Sequence, residues 1–155
     1  HAHGGGGCPG SMMRQFAARP AEVTETAEAP SELRQWPVQL HLVSPQAPYF
    51  RGADLLLAAD CAAFSYGNFH RDFLAGKALA IACPKLDDPS GYVEKLAAMI
   101  TQSGIRSITV VMMQVPCCGG LERLVQMAQQ LAGKQVPIRR VIVGLEGEIL
   151  EDVAM

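Results

Sequence analysis

The sequence predicts an α/β domain of three layers, a mostly parallel sheet of about five strands with helices on both faces, and two observations carry the prediction. Short unbroken apolar runs (ADLLLAAD, KALAIAC, SITVVMMQV, IRRVIVG) have the length and continuous hydrophobicity of strands covered on both sides. Between them lie segments with apolar residues at helical spacing, so strand and helix alternate and each crossover returns the next strand parallel. That pattern belongs to the flavodoxin-like or Rossmann-like group.

Taken in order, the chain opens with HAHGGGGCPG, in which the glycines are flexible and Pro9 suits the first turn of a helix running from Met12 to Ala18. Residues 1–18 form a glycine-rich segment bearing Cys8, and residues 19–36, rich in Pro, Ala, Glu and Thr, a linker. The α/β domain occupies 37–155. PVQLHLVS reads as its first strand, with Val38, Leu40 and Leu42 alternating. ADLLLAAD is the second strand. A short helix near Asn68–Ala75 is stopped by Gly76, and KALAIAC is the third strand. SGYVEKLAAMITQSG places Tyr92, Leu96, Met99 and Ile100 on one helical face, with Ser90 as cap and Gly104 as stop. SITVVMMQV is the fourth strand, GLERLVQMAQQLAGK an amphipathic helix ended by Gly133, and IRRVIVG the last strand.

A chain of 155 residues fits one domain and buries roughly 70% of its unfolded surface, so it needs no covalent staples. A net charge of −2 gives no footprint for nucleic acid or an anionic membrane. The apolar runs are too short to span a bilayer, and no signal peptide opens the chain. Five cysteines make an odd count that fits a secreted disulfide framework poorly and a reducing cytoplasm well. The chain starts at His1 rather than Met, which sets the expectation of an upstream module.

The cysteines fall at one kind of place. Cys61 follows ADLLLAAD, Cys83 follows ALAIA, and Cys117 and Cys118 follow ITVVMMQVP. In an open parallel sheet the carboxyl ends of the strands lie on one edge, where such folds bind ligands. Soft sulfurs gathered there suit an iron–sulfur cluster, or alternatively zinc. Gly119 and Gly120 open the following helix, so their backbone N–H groups can face a thiolate or a cluster sulfide. Cys8, beside Pro9 and Gly10, is a fifth candidate ligand if the N-terminal segment folds over the edge. His70 follows Cys61 and is a candidate to ligate or hydrogen-bond the centre. Tyr66, Lys85 and Asp87 stand near enough in sequence to support it.

Each of these residues also has a plainer reading. A single buried cysteine is commonly a small hydrophobe, and His70 is commonly a satisfied helix-end histidine. Adjacent cysteines rarely both ligate one ion, so Cys117 and Cys118 divide the roles. Thiol chemistry is the rival function: Cys117 or Cys118 attacks a substrate and Cys83 or Cys61 resolves it. No C-x-x-C zinc pair and no ferredoxin-type run of cysteines at every third position is present. The GGGG run lacks the strand before it and the Lys-Ser/Thr after it that a phosphate loop needs.

The segments ADCAAFSYGNFHRDFLAGKALAIACPKLDD and MMQVPCCGGL, preceded by HGGGGCPGSMM, resemble the C-terminal region of ferredoxin-type 4Fe-4S binding proteins of anaerobic bacteria and archaea. The resemblance covers nearly the whole chain from His1 to about Ile149. It implies iron–sulfur or electron-transfer association, with an N-terminal ferredoxin module or another electron-transfer protein as partner, and it implies no particular reaction. PCCGG is also similar to the cysteine pair of the CCG domains of heterodisulfide reductases and lactate-utilisation proteins, without the rest of that motif. The resulting expectation is a metal-binding redox domain whose ligands are drawn from Cys8, Cys61, Cys83, Cys117 and Cys118.

Overall fold

The computed structural model describes residues 13–15 and 28–155. Cys8, His1, His3 and residues 19–27 of the 19–36 linker lie outside the described residues. In chain order the elements are β1 (Arg14–Gln15), β2 (Gln35–Trp36), β3 (Asp54–Ala59), α1 (Ala62–Ser65), a π-helical turn (His70–Leu74), β4 (Ala78–Ala82), α2 (Tyr92–Thr101), β5 (Ser107–Met113), α3 (Gly119–Ala132), β6 (Ile138–Val143) and β7 (Ile149–Ala154).

Among the described residues the main sheet runs β4-β3-β5-β6-β7. β3 pairs in parallel with β4 and β5, and β5 with β6, while β7 closes the sheet antiparallel to β6. The expected α/β class and mostly parallel sheet of five strands are therefore present. The fifth strand is a different one from the sequence expectation. β3 lies inside the sheet, between β4 and β5, and its Leu55, Leu56 and Leu57 are all fully buried, which only a strand covered on both faces allows.

Two neighbours on β6 show the layering. Adjacent strand residues point to opposite faces. Arg140 reaches Glu122 of α3 at 3.3 Å, whereas the Arg139 guanidinium lies 5.7 Å from the centre of the Phe73 ring in the π-helical turn. So α3, with α2 packed beside it, covers one face, and the connection from β3 to β4 covers the other. That connection was expected to be one helix over Asn68–Ala75. It is α1 followed by the turn at 70–74, in which the Ala75 N–H donates to the His70 carbonyl five residues back (2.8 Å) while Phe69, Phe73 and Leu74 are buried.

Three further expectations change. PVQLHLVS makes only one bridge, Gln39 to Ile81, because the amides of Leu42 and Val43 both turn back to the Gln39 carbonyl (2.9 and 3.0 Å). Lys95 Nζ holds that turn by donating to the carbonyls of Leu40 and His41 (2.8 and 2.9 Å). Of the helix expected over Met12–Ala18, Arg14 and Gln15 are extended and pair with Gln35 and Trp36, since a ladder supplies the backbone partners there. β7 carries Glu151 and Asp152 and does not read as a strand; ion pairs from Arg140 and Arg139 neutralise both carboxylates and hold it to β6.

The ends of the two long helices follow glycine chemistry. Gly91, at φ +83°, leads α2 in place of the expected Ser90 cap, and Gly133, at φ +63°, ends α3 as expected.

Two outcomes test this architecture. Leu57→Ala leaves a hole beside the interior strand β3 and is expected to cost about 2–5 kcal/mol in urea unfolding. The Arg139 guanidinium holds the Asp152 carboxyl below the usual carboxylate range. Its contribution is therefore complete above the ordinary carboxylate pKa and is lost as pH falls through the lowered value. Asp152→Asn is expected to flatten the acid side of the stability–pH curve and leave the alkaline side unchanged.

Candidate functional site

Because β3, β4 and β5 run parallel, their carboxyl ends share one edge. From β3 the chain goes out to β4 and then crosses back to β5, so the connections leaving β3 and β5 diverge and open a crevice between them. Cys61 stands at the end of β3, Cys83 at the end of β4, and Cys117 and Cys118 beyond the end of β5.

Each cysteine is set by its own loop. The Cys61 carbonyl accepts the Ser65 N–H (3.2 Å) and Ser65 Oγ–H (3.0 Å), so Cys61 anchors α1 while remaining exposed. Cys83 opens a tight turn: its carbonyl accepts the amides of Leu86 (3.2 Å) and Asp87 (2.9 Å), and its own N–H donates to Asp87 Oδ2 (2.9 Å). Pro84 presets φ in that turn. Pro116–Cys118 form a 3₁₀ turn that runs directly into α3, leaving Cys117 half-buried and Cys118 buried.

The loops touch. A Cβ on Gly120 would lie 2.8 Å from Pro84 Cβ, so only glycine lets the first turn of α3 meet the Cys83 turn. At the far end of the edge, Gly147 in the β6–β7 turn has φ +89° and approaches the Ser65 carbonyl so closely that a Cβ there would stand 2.6 Å from it. Burial pushes the Cys118 thiol above its ordinary pKa; a backbone contact with Met113 opposes this, and the neighbouring thiols of Cys117 and Cys61 add to it. Cys61 and Cys117 therefore each lie within electrostatic reach of Cys118.

Asp87, singled out by the sequence, is joined by Asp60 and Tyr92, which the sequence did not single out. Asp60, directly before Cys61, has its carboxyl raised by burial and then by the Asp87 carboxylate, against a side-chain hydrogen bond from Gln39. Its Oδ1 is buried with no partner among the described residues. Asp87 Oδ2 also accepts the Tyr92 hydroxyl at 2.7 Å. Tyr92 is buried, and burial followed by that hydrogen bond raises its phenol. The signal for Asp60 was its place at the end of an apolar run; Tyr92 read as an ordinary helix-core residue.

His70 has other partners. Its Nδ1 accepts the Glu32 N–H at 3.0 Å, and it lines a cavity of about 290 Å³ with Ala29, Pro30, Ser31, Asn68 and Arg71. Tyr66 is likewise engaged, donating to Asp72 at 2.7 Å. Gly119 and Gly120 are the first residues of α3, as expected.

The donor chemistry at this edge, four thiols, is that of a soft metal. Among the described residues, however, no three His, Cys, Asp or Glu side chains stand as a group able to hold a metal ion. The fit is thus one of ligand type rather than of a preassembled cage.

Alkylation of the native protein is expected to label Cys61 first and Cys118 last, as their exposure dictates; peptide mapping over time reads the order. Gly120→Ala must displace the Cys83 turn. It is expected to cost about 1–3 kcal/mol in thermal unfolding and to quicken labelling of Cys83.

Comparison with known proteins places the chain. It is 36% identical over 118 residues to an uncharacterized protein of Archaeoglobus fulgidus, a match spanning 76% of this chain and 83% of the relative. No solved structure matches. The model of the Rossmann-like domain family matches residues 47–155, from the turn before β3 to the end of β7, and the chain belongs to that family.

Proposed function

We propose that the carboxyl-end cysteine edge binds a thiophilic metal centre, a 4Fe-4S cluster, and that the domain serves as an electron-transfer accessory to a ferredoxin-like module or another electron-transfer protein in a reducing cytoplasm. The observation that carries the reading is the convergence of Cys61, Cys83, Cys117 and Cys118 on the carboxyl ends of β3, β4 and β5, with Cys61 and Cys117 both within electrostatic reach of Cys118 and the Cys83 turn abutting the start of α3 through the Pro84–Gly120 contact. Among the described residues no helix is long and apolar enough to cross a membrane.

Cys61, Cys83 and Cys118, with Cys117 or Cys8 as the fourth, would hold the centre. When bound, such a cluster supplies reversible one-electron chemistry. The chain's own residues do the rest. Gly119 and Gly120 bring the amides of the first turn of α3 to this edge, and N–H groups aimed at sulfur raise a cluster's potential. Burial of Cys118 in the hydrophobic core keeps one side of the site dry. Exposed Cys61 is the ligand free to turn inward. His70 enters this reading as a neighbour of the connection after Cys61, its Nδ1 already engaged by Glu32.

Anaerobic purification with iron, sulfide and zinc analysis and a visible spectrum tests the proposal. Stoichiometric iron and sulfide with broad visible absorption, lost in Cys83→Ser, is the expected result. Zinc alone would replace the cluster by a structural or sensing metal. Absence of metal from reconstituted protein would remove the reading.

A further inference from the structure

Among the described residues β7 pairs with β6 alone, whereas β4 at the other end of the sheet is covered by Gln35 and Gln39. The Met155 N–H donates to the Ile138 carbonyl (2.8 Å), so the backbone of Met155 faces β6, and with it Val153 and Glu151 at intervals of two. Asp152 and Ala154 therefore turn their backbone N–H and C=O outward, and no described strand receives them. The register irregularity between Ile142 and Val143 falls at the start of β7 and leaves 151–154 regular. The strand also lacks the usual guards of an open edge. It has no proline and no lysine, and Ile149, Leu150 and Val153 are exposed, as is Met155 just after them. Its two carboxylates are each engaged by an arginine of β6.

We infer that two copies of the chain join through β7, antiparallel about a two-fold axis at Val153, into one continuous sheet. Charge selects both the occupant and the register. An axis at Asp152 or at Glu151 would set a carboxylate directly against its own copy, which destabilises a ladder. With the axis at Val153 the two Val153 side chains meet. Asp152 then faces Ala154 of the second copy, and the two exchange both their backbone bonds. Ala154 is the Cα partner of Arg139 on its own β6. Each Asp152 thus stands between its own Arg139 and, across one methyl side chain, the Arg139 of the second copy. Positive and negative groups alternate along that row with nothing supplied from elsewhere. An edge strand that complements itself in this way makes a closed, two-fold pair.

The pairing also fixes where the cysteines go. β7 runs against β6, and the second β7 runs against the first, so the two β3 strands point in opposite senses. The two cysteine edges lie at opposite ends of the joined sheet, and neither covers the other. The interface and the proposed metal centre are independent, and failure of either leaves the other standing.

Sedimentation velocity of the full chain over a concentration series tests this, with Ala154→Pro and Val153→Lys alongside. The wild type is expected to rise with concentration to twice the mass of one chain. Ala154→Pro removes an outward donor from both copies and spares the bonds to β6, a position where an edge strand tolerates proline. It is expected to raise the dissociation constant at least about tenfold. Val153→Lys sets lysine against lysine and is expected to do the same, while mixing it with Val153→Glu restores the dimer. Circular dichroism confirms that each variant folds, and thiol labelling in the wild-type order confirms that the cysteine edge is untouched. A wild type that stays monomeric at every concentration, a mass that climbs beyond two chains, a dimer indifferent to both substitutions, or no recovery in the mixture would each overturn the assignment.

Discussion

Everything at the cysteine edge depends on the direction of three strands. β3, β4 and β5 run parallel because β3 is apolar on both faces and is satisfied only between two neighbours and two covering layers. Parallel strands deliver their carboxyl ends to one side, and cysteines far apart in sequence become neighbours without any local motif to announce them. An antiparallel β4 would send Cys83 to the opposite edge. The burial of Leu55, Leu56 and Leu57 is thus as much a condition of the site as the sulfurs themselves.

The site is also under electrostatic tension. Cys61 and Cys117 lie within electrostatic reach of Cys118, and Asp60, directly before Cys61, couples to Asp87, which accepts the Tyr92 hydroxyl. Each proton lost there adds negative charge to a partly desolvated cluster, which raises the cost of losing the next. In the proposed reading, a bound cation relieves that tension by neutralising the thiolates.

Much of this was legible in the sequence. The buried strands β3 to β6 and the helices α2 and α3 appear as continuous or periodic apolar patterns, and Gly133 ends α3 as its position predicts. The placement of Cys61, Cys83, Cys117 and Cys118 followed from those strands alone. What was not legible depends on tertiary partners. β7 carries the adjacent carboxylates Glu151 and Asp152, which pair with Arg140 and Arg139 across its antiparallel ladder to β6. PVQLHLVS alternates like a strand, yet Lys95 and a turn at Gln39 bend it away after one bridge. Asp60 and Tyr92 escaped notice because their coupling through Asp87 joins three separate segments.

Gln35 shows how the sheet ends. Its buried side-chain amide donates to the Leu79 carbonyl (2.8 Å) and accepts the Leu79 N–H (2.8 Å), doing for one residue of β4 what a neighbouring strand would do. Gln39 and its neighbours then occupy the next rung through Ile81. Open strand edges are templates for unwanted pairing between chains. On the β4 side that template is spoiled by an amide and a short bend instead of by charge. The domain is thereby polarised: strand-to-strand association has to begin at the β7 margin, three strands away from the β3 that ends at Cys61.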